Sequence, residues 1–337
     1  MIEQNISLKP YNTFGMDVQA KYYSSFNDQA SMEEGLAFAI KRELPLLILG
    51  GGSNVLFTKD FEGIVLRNGL SGRELISEDE ESAIVKGGAG ENWHQFVLWC
   101  IASGFSGIEN LSLIPGSLGA GPMQNIGAYG VELCEHFHSL QAYHIQEKEV
   151  HTFNLAECGF GYRESVFKRK LKNQYVIVSV NLKLNKKPNF RTTYGAIEQE
   201  LEKMGITELS VQAVSDAVVN IRRSKLPDPA QIGNAGSFFK NPVIALSHFD
   251  ELKLRYPDIV SYPAGENMVK VPAGWLIEKS GWKGKTIGNY GVHKLQALVL
   301  VNYGGAKGQE ILNLSTEIIE DISNKFGILL EREVNIY

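Results

Sequence analysis

Hydrophobic and polar positions along the chain alternate between two periods. Residues 32–43, "MEEGLAFAIKRE", carry a helical pattern, and "LPLLIL" at 44–49 reads as a buried strand. "EGIVLRN" and "SAIVKGG" predict two more strands. From Glu91 onward Trp93, Phe96, Val97, Cys100 and Ile101 recur at helical spacing, and Gly104 fits just past the end of that helix. Residues 138–153 and 175–184 alternate as strands do, and a helix is expected over about 209–224. "KLPDP" then predicts a linker. Beyond it come helices near 244–253 and 272–280, the strand "ALVLVN", and a helix with Ile311, Leu314, Ile318 and Ile322 on one stripe. "FGILLEREVNIY" is expected to close the chain as a strand. Strands and helices mix without a regular βαβ alternation, so the pattern predicts an α+β fold.

Composition narrows the class. A chain of 337 residues, 44% apolar and 21% charged, can bury more than one core without staples. A net charge of −5 gives no sign of nucleic acid or an anionic membrane as partner. Two local basic clusters stand out, one over 168–172 and "RRSK" at 222–225. Cys100, Cys134 and Cys158 are scattered and odd in number, which argues for a reducing compartment rather than a disulfide framework. The first residues lack a signal pattern and no apolar run reaches membrane-spanning length, so a cytoplasmic, soluble protein is expected.

Two glycine-rich segments carry the first chemistry. "GGGSN" (Gly50, Gly51, Gly52, Ser53, Asn54) directly follows a strand. Glycines there let main-chain amides approach an anion; the alternative is a tight turn. "IPGSLGAGPMQNIGAYG" over 114–130 is costly to order, and a flat polar ligand packed along it would compensate; the alternative is a mobile loop. Neither is the dinucleotide fingerprint, and "GGAGENW" at 87–93 fails it too. "GWKGKT" lacks two residues of a phosphate loop and reads as a turn. Cys134, His136 and His138 would share one face of a strand, but no fourth ligand follows at a standard spacing, so no metal is expected. Arg163 in "GYRES" is either a surface ion pair or a functional cation. Arg222 and Lys225 either grip phosphates or meet a helix dipole. "NAGSFFKNP" places Ser237 in an apolar setting with Lys240 and Asn241 close behind.

In order along the chain, "NTFG" (12–15), "LGGGSN" (49–54), the 114–130 segment, "GYRESVFK" (161–168), "KLPDP", "GNAGSFFKNP" (233–242), "AGWLIE" (273–278) and "LEREV" (330–334) resemble the UDP-N-acetylenolpyruvoylglucosamine reductase family. Each glycine loop alone is a weak signal; the ordered set is specific. "TTYGAI" (192–197) and "HKLQALVLVN" (293–302) resemble the longer branch of that family, with a tyrosine-bearing loop over the substrate.

The resemblance implies a two-part FAD-binding module of the vanillyl-alcohol-oxidase (PCMH) type plus a C-terminal α+β substrate-binding domain. The expected boundaries are 1–66 completed by 327–337, then 67–225, then 226–326. It implies non-covalent FAD, NADPH as reductant, a nucleotide-sugar substrate in peptidoglycan precursor synthesis, and a monomer. By the same resemblance Arg163, Ser237 and Glu333 are catalytic. Gly50, Gly51, Gly52, Ser53, Asn54, Ser117, Gly119, Gln124, Asn125 and Gly127 bind the cofactor. Tyr194, Arg222, Lys225, Asn241 and Gln296 bind substrate. Two rivals stay open: an oxidase of the same flavin fold, disfavoured because Leu49 and no histidine precedes "GGGSN", and a non-enzymatic nucleotide-sugar binding protein.

Overall fold

The computed structural model describes every residue from Met1 to Tyr337. The chain divides into two compact units. The first comprises Met1–Ile6, Ala20–Gly51 and Glu62–Ser224; the second comprises Ser7–Gln19, Gly52–Phe61 and Lys225–Tyr337.

The first unit is built on two sheets. One orders its strands Glu3–Ser7, Gln19–Phe26, Phe61–Asn68 and Leu46–Leu49, with Leu46–Leu49 running parallel to its neighbour. The helix Gln29–Lys41 covers it. That helix starts earlier than the apolar stripe suggests, because the Asp28 carboxylate accepts the Ser31 N–H at 2.7 Å and caps it. Met32, Leu36 and Ala39 form its buried face against Phe26, Ile64 and Leu66. The other sheet is antiparallel, in the order Val150–Asn154, Phe137–His144, Tyr175–Asn185, Ser82–Gly88 and Arg73–Glu78. The expected stretch 138–153 is thus a hairpin of two strands. One face of the sheet, with Val85, Leu140, Val180 and Leu182, packs on the helix Trp93–Ala102 through Trp93, Phe96, Val97 and Cys100. Asn92 caps that helix by accepting the Gln95 N–H at 3.0 Å. The helix Val211–Lys225 buries Ala213, Ala217, Val218 and Ile221 against Ile197 and Leu201.

The second unit holds a three-stranded sheet around Met268–Lys270, another around Tyr290–Val292, and the helix Gly308–Phe326. Ile311, Leu314, Ile318 and Ile322 are buried as the stripe predicts.

Two local expectations fail. The closing segment is no continuous strand. The helical stripe extends to Phe326, Gly327 ends it at φ +67°, and only Asn335–Ile336 pairs as a strand, parallel to Val55–Leu56. Cys134, His136 and His138 do not share a strand face either. Leu133–Glu135 is a 3-10 turn closed by a Glu132/Glu135 capping box, and the strand begins at Phe137. No cysteine is paired, and burial pushes the Cys158 thiol up to about 12. No helix is long and apolar enough to cross a membrane.

Candidate active site

In the first unit the two glycine segments meet. A Cβ on Gly50 would strike the Ser117 hydroxyl, and one on Gly51 would lie 2.8 Å from the Gly116 Cα. Only glycine permits this approach. The 87–93 stretch is the platform beneath it: Trp93 N–H donates to the Gly116 carbonyl at 3.0 Å, Leu118 N–H to Glu91 at 2.8 Å, and Gly119 N–H to Ala89 at 2.9 Å. Gly119 also has Ala89 Cβ only 2.5 Å from where its own Cβ would be. The 114–130 segment is therefore an ordered cradle made of turns and the short hairpin Gly127–Ala128 with Val131–Glu132.

Arg163 belongs to this cradle. Its Nη2 donates to the Gly127 carbonyl at 2.8 Å, and its guanidinium lies 5.3 Å from the Tyr162 ring centre. Ser165 donates to the Met123 carbonyl at 2.7 Å. The buried Asn125 amide donates to the Glu132 carboxylate at 2.9 Å and the Gly161 carbonyl at 3.2 Å, while its oxygen accepts the Cys134 N–H at 3.0 Å. "GYRES" is thus stitched to "MQNIG" at three points. The Asn125 side chain is spent inside the loop, which leaves the main chain as what this position can offer a ligand. Half-buried Gln124 sits between these anchors.

Behind the cradle lies a network that sequence reasoning passes over. Arg222 Nε donates to the Leu113 carbonyl at 3.2 Å, and the guanidinium also bonds the Tyr129 hydroxyl. Leu113 N–H donates to His94 Nδ1 at 3.0 Å. Burial lowers Arg222 and raises the Tyr129 phenol, the latter shift opposed by the Arg222 charge. Burial, then the charges of Arg223 and Arg222, hold His94 below its ordinary value. Nine non-glycine residues have positive φ, and Leu113, Asn125, Tyr129 and Arg163 are four of them. Left-handed backbone at bulky residues costs about 1–3 kcal/mol each and gathers at functional sites. Tyr194, half exposed, lies over this turn, its Cβ 3.2 Å from where a Gly130 Cβ would stand, and Arg191 donates to the Gly130 carbonyl at 2.9 Å.

The second unit carries the other half of the predicted residues. Gly52 has φ +64°, and a Cβ there would strike the Tyr11 carbonyl. Its own carbonyl accepts the Thr13 N–H at 3.0 Å, so "NTFG" supports this end of "GGGSN". Next to it, Ser53 is half-buried. Asn54 donates to the Glu333 carbonyl at 3.3 Å. Ser237 forms an antiparallel bridge with Val299, and Phe239 forms one with Arg332. Phe238 accepts the Glu333 N–H at 2.8 Å, so Ser237 and Glu333 are near neighbours across this ladder. Gly236, φ +68°, turns the chain into it, and the buried Asn234 amide accepts the Gly236 N–H at 3.0 Å. Asn241 accepts the Ala273 N–H at 2.9 Å, at the start of the helix Ala273–Lys279. Gln296 caps its own turn by accepting the Leu298 N–H at 3.3 Å. Lys225 is exposed at the helix end.

A cavity of about 520 Å³ in the first unit is a different place. Lys86, Gly88, Gln141 and Ser179 line it, on the sheet face opposite Gly87, whose Cβ position is filled by Leu118.

Residues 21–152 match the model of an FAD binding domain, and residues 228–337 match that of the C-terminal domain of UDP-N-acetylenolpyruvoylglucosamine reductase. The structure of UDP-N-acetylenolpyruvylglucosamine reductase from Thermus caldophilus superposes with a TM-score of 0.68 over 100% of this chain and 99% of that one, at 22% identity. Fold and site thus define a flavoprotein with a PCMH-type FAD domain, and the glycine cradle, which side chains at Gly50 or Gly51 would fill, fits such a group. Two reductases of that name align over essentially the whole chain. The Pseudomonas putida protein is 49% identical over 335 residues (99% of this chain, 98% of the other), and the Flavobacterium johnsoniae protein 50% over 338 residues (99% of each). The chain belongs to the UDP-N-acetylenolpyruvoylglucosamine reductase family, the UDP-N-acetylmuramate dehydrogenases of peptidoglycan precursor synthesis.

Proposed function

We propose that the chain reduces the enol ether of UDP-N-acetylglucosamine enolpyruvate to UDP-N-acetylmuramate, with Ser237 as proton donor. The observation that carries this reading is the ladder in which Phe238 accepts the Glu333 N–H, with Ser237 and Glu333 at neighbouring positions. FAD, bound without a covalent link and reduced by NADPH, supplies the hydride that reaches the vinyl CH2 carbon. Gly50, Gly51, Ser117, Gly119, Gln124, Asn125 and Gly127, with Gly52, Ser53 and Asn54, hold it. Negative charge then develops on the adjacent carbon and its carboxylate. Arg163 stabilises that charge, the kind of contribution that is usually the largest in such chemistry. The Ser237 hydroxyl gives its proton to the carbon, and as a neutral group it approaches a carbanion without repelling it. Glu333 assists in its protonated form or held by hydrogen bonds.

In this reading Tyr194, Arg222, Lys225, Asn241 and Gln296 grip the nucleotide sugar, and the Tyr194 loop assigns the chain to the longer branch of the family. Residues 1–66 with 327–337, and 67–225, form the two FAD-binding parts, and 226–326 the substrate-binding part. The protein works as a monomer in the cytoplasm.

Ser237→Ala tests the reading by stopped flow. NADPH should bleach the flavin at nearly the normal rate. Recolouring by the enolpyruvyl substrate should slow by about 10²–10⁴-fold, as for a lost general acid. Equal, mild slowing of both half-reactions would make Ser237 a structural hydroxyl instead.

A further inference from the structure

We propose that the Lys240–Glu331 ion pair is a register clasp that positions Ser237 against Glu333. The proposal rests on the reading of Ser237 as proton donor.

Lys240 is an unusual residue for its place. Its side chain is only 8% exposed, while that of Glu331 is 65% exposed, and Lys240 Nζ lies 2.6 Å from Glu331 Oε1. Burying an ammonium is costly, and an apolar residue of similar volume would commonly serve stability as well. A buried pair kept at such a cost is best explained by what it specifies, and setting register is the best-attested such use.

The surroundings say which register. The 237–240 segment is fixed to its own surroundings by Phe238 N–H to Leu298 at 2.8 Å and Val271 N–H to Pro242 at 2.9 Å. Its link to the 331–333 segment is a short ladder: Lys240 N–H to the Glu331 carbonyl at 2.9 Å and Glu333 N–H to the Phe238 carbonyl at 2.8 Å. Neither segment forms a regular strand, so the ladder is an isolated bridge at Phe239 and Arg332. Along the second segment side chains alternate. Arg332 turns to the helix Gly308–Phe326, where it donates to Ser315 Oγ and Thr316 Oγ1 at 2.7 Å each. Glu331 and Glu333 lie on the other side. A slip of two residues would preserve this alternation yet carry Glu333 about 6.6 Å along the ladder, away from Ser237. The Lys240–Glu331 pair opposes that slip with a side-chain bond at the next position of the same ladder. Lys240 stands three residues from Ser237 in an extended segment, so it projects to the opposite side and acts on Ser237 through the backbone.

The test uses the full chain with bound FAD and compares Lys240→Met, Glu331→Gln, Lys240→Arg, Ser237→Ala and the double variant Ser237→Ala/Lys240→Met. Bleaching by NADPH and recolouring by UDP-N-acetylglucosamine enolpyruvate are timed separately. Bleaching should stay within about twofold in every variant. Recolouring should slow by at least about tenfold in both Lys240→Met and Glu331→Gln, since small misplacements of a reacting group are costly. Lys240→Arg should restore most of the rate. The double variant should be no slower than Ser237→Ala alone, because the clasp has nothing left to position. If Lys240→Met fails to fold, Glu331→Gln, altered at an exposed carboxylate, decides the question alone. Normal recolouring in Glu331→Gln, or additive slowing in the double variant, overturns the clasp while Ser237→Ala remains slow. Normal recolouring in Ser237→Ala itself overturns the proton-donor reading, and the clasp with it.

Discussion

The loops around Arg163 and the ladder around Ser237 hold their side chains in different ways. Around Arg163 the chain accepts left-handed backbone at Leu113, Asn125, Tyr129 and Arg163 itself, and binds it with side-chain bonds to main-chain carbonyls. Around Ser237 the hairpin entry is given to a glycine, Gly236, and the rest is main-chain pairing plus one ion pair. The first arrangement stores strain and needs many bonds to keep it. The second is low in strain and depends on register. The difference suits the proposed tasks. A cation that meets developing charge must be fixed in direction, whereas a proton donor must be fixed in distance along a strand.

The strongest way to break this contrast is at Arg163. Arg163→Ala removes the proposed charge stabiliser and the bond to the Gly127 carbonyl together. Recolouring by substrate should fall by about 10²–10³-fold, the usual loss for a preorganised donor to a developing anion. Arg163→Lys should recover little, because an ammonium lacks the planar fork that reaches a carbonyl and a substrate at once. A rate within about threefold of normal would reduce Arg163 to a loop fastener.

Much of this contrast was legible in the sequence, for a physical reason. Glycine loops, the "SFFKNP" segment and the apolar stripes announce themselves because one residue type is required at each position. Gly50 and Gly51 are such positions, since any side chain would collide. Leu113 and Tyr129 gave no signal. Nothing in their chemistry favours positive φ, and their conformations come from bonds to His94 and Arg222, each distant in sequence. The closing segment misled for the same reason: "FGILLEREV" has strand composition, but its pairing partners lie far along the chain at Val55 and Phe239. The pairing of Lys240 with Glu331 was equally hidden, being 91 residues apart.

Two buried asparagines sharpen the comparison at a smaller scale. Asn125 serves the first region with three bonds, and Asn234 serves the second by donating to Pro227 and Ile232 and accepting from Gly236. Alanine at either position leaves buried main-chain groups unpaired and should cost about 3 kcal/mol in chemical unfolding. The functional consequences should part. Asn125→Ala should weaken FAD retention on a desalting column, while Asn234→Ala should keep the flavin and slow recolouring. If both lose flavin equally, the two regions do not have separate tasks.

The smallest effect concerns acid. His94 accepts the Leu113 N–H on Nδ1, and burial with the charges of Arg223 and Arg222 lowers its affinity for a proton below the ordinary 6.5. A group lowered in the folded state is protonated first in the unfolded chain. Its contribution to stability is complete above about pH 6.5 and is lost as pH falls from there through the lower folded value. The slope for one proton cannot exceed about 1.4 kcal/mol per pH unit. His136 in the same unit and His293 in the other are also lowered by burial, and they add to the acid loss. His94→Gln keeps an acceptor for Leu113 and cannot titrate. Its urea midpoint should match the parent closely at pH 7.5 and fall less than the parent's at pH 5.5. Equal acid losses in the two proteins would mean that His94 takes up its proton alike in the folded and unfolded chain, and that the bond to Leu113 does not help hold the strained turn beneath Tyr129.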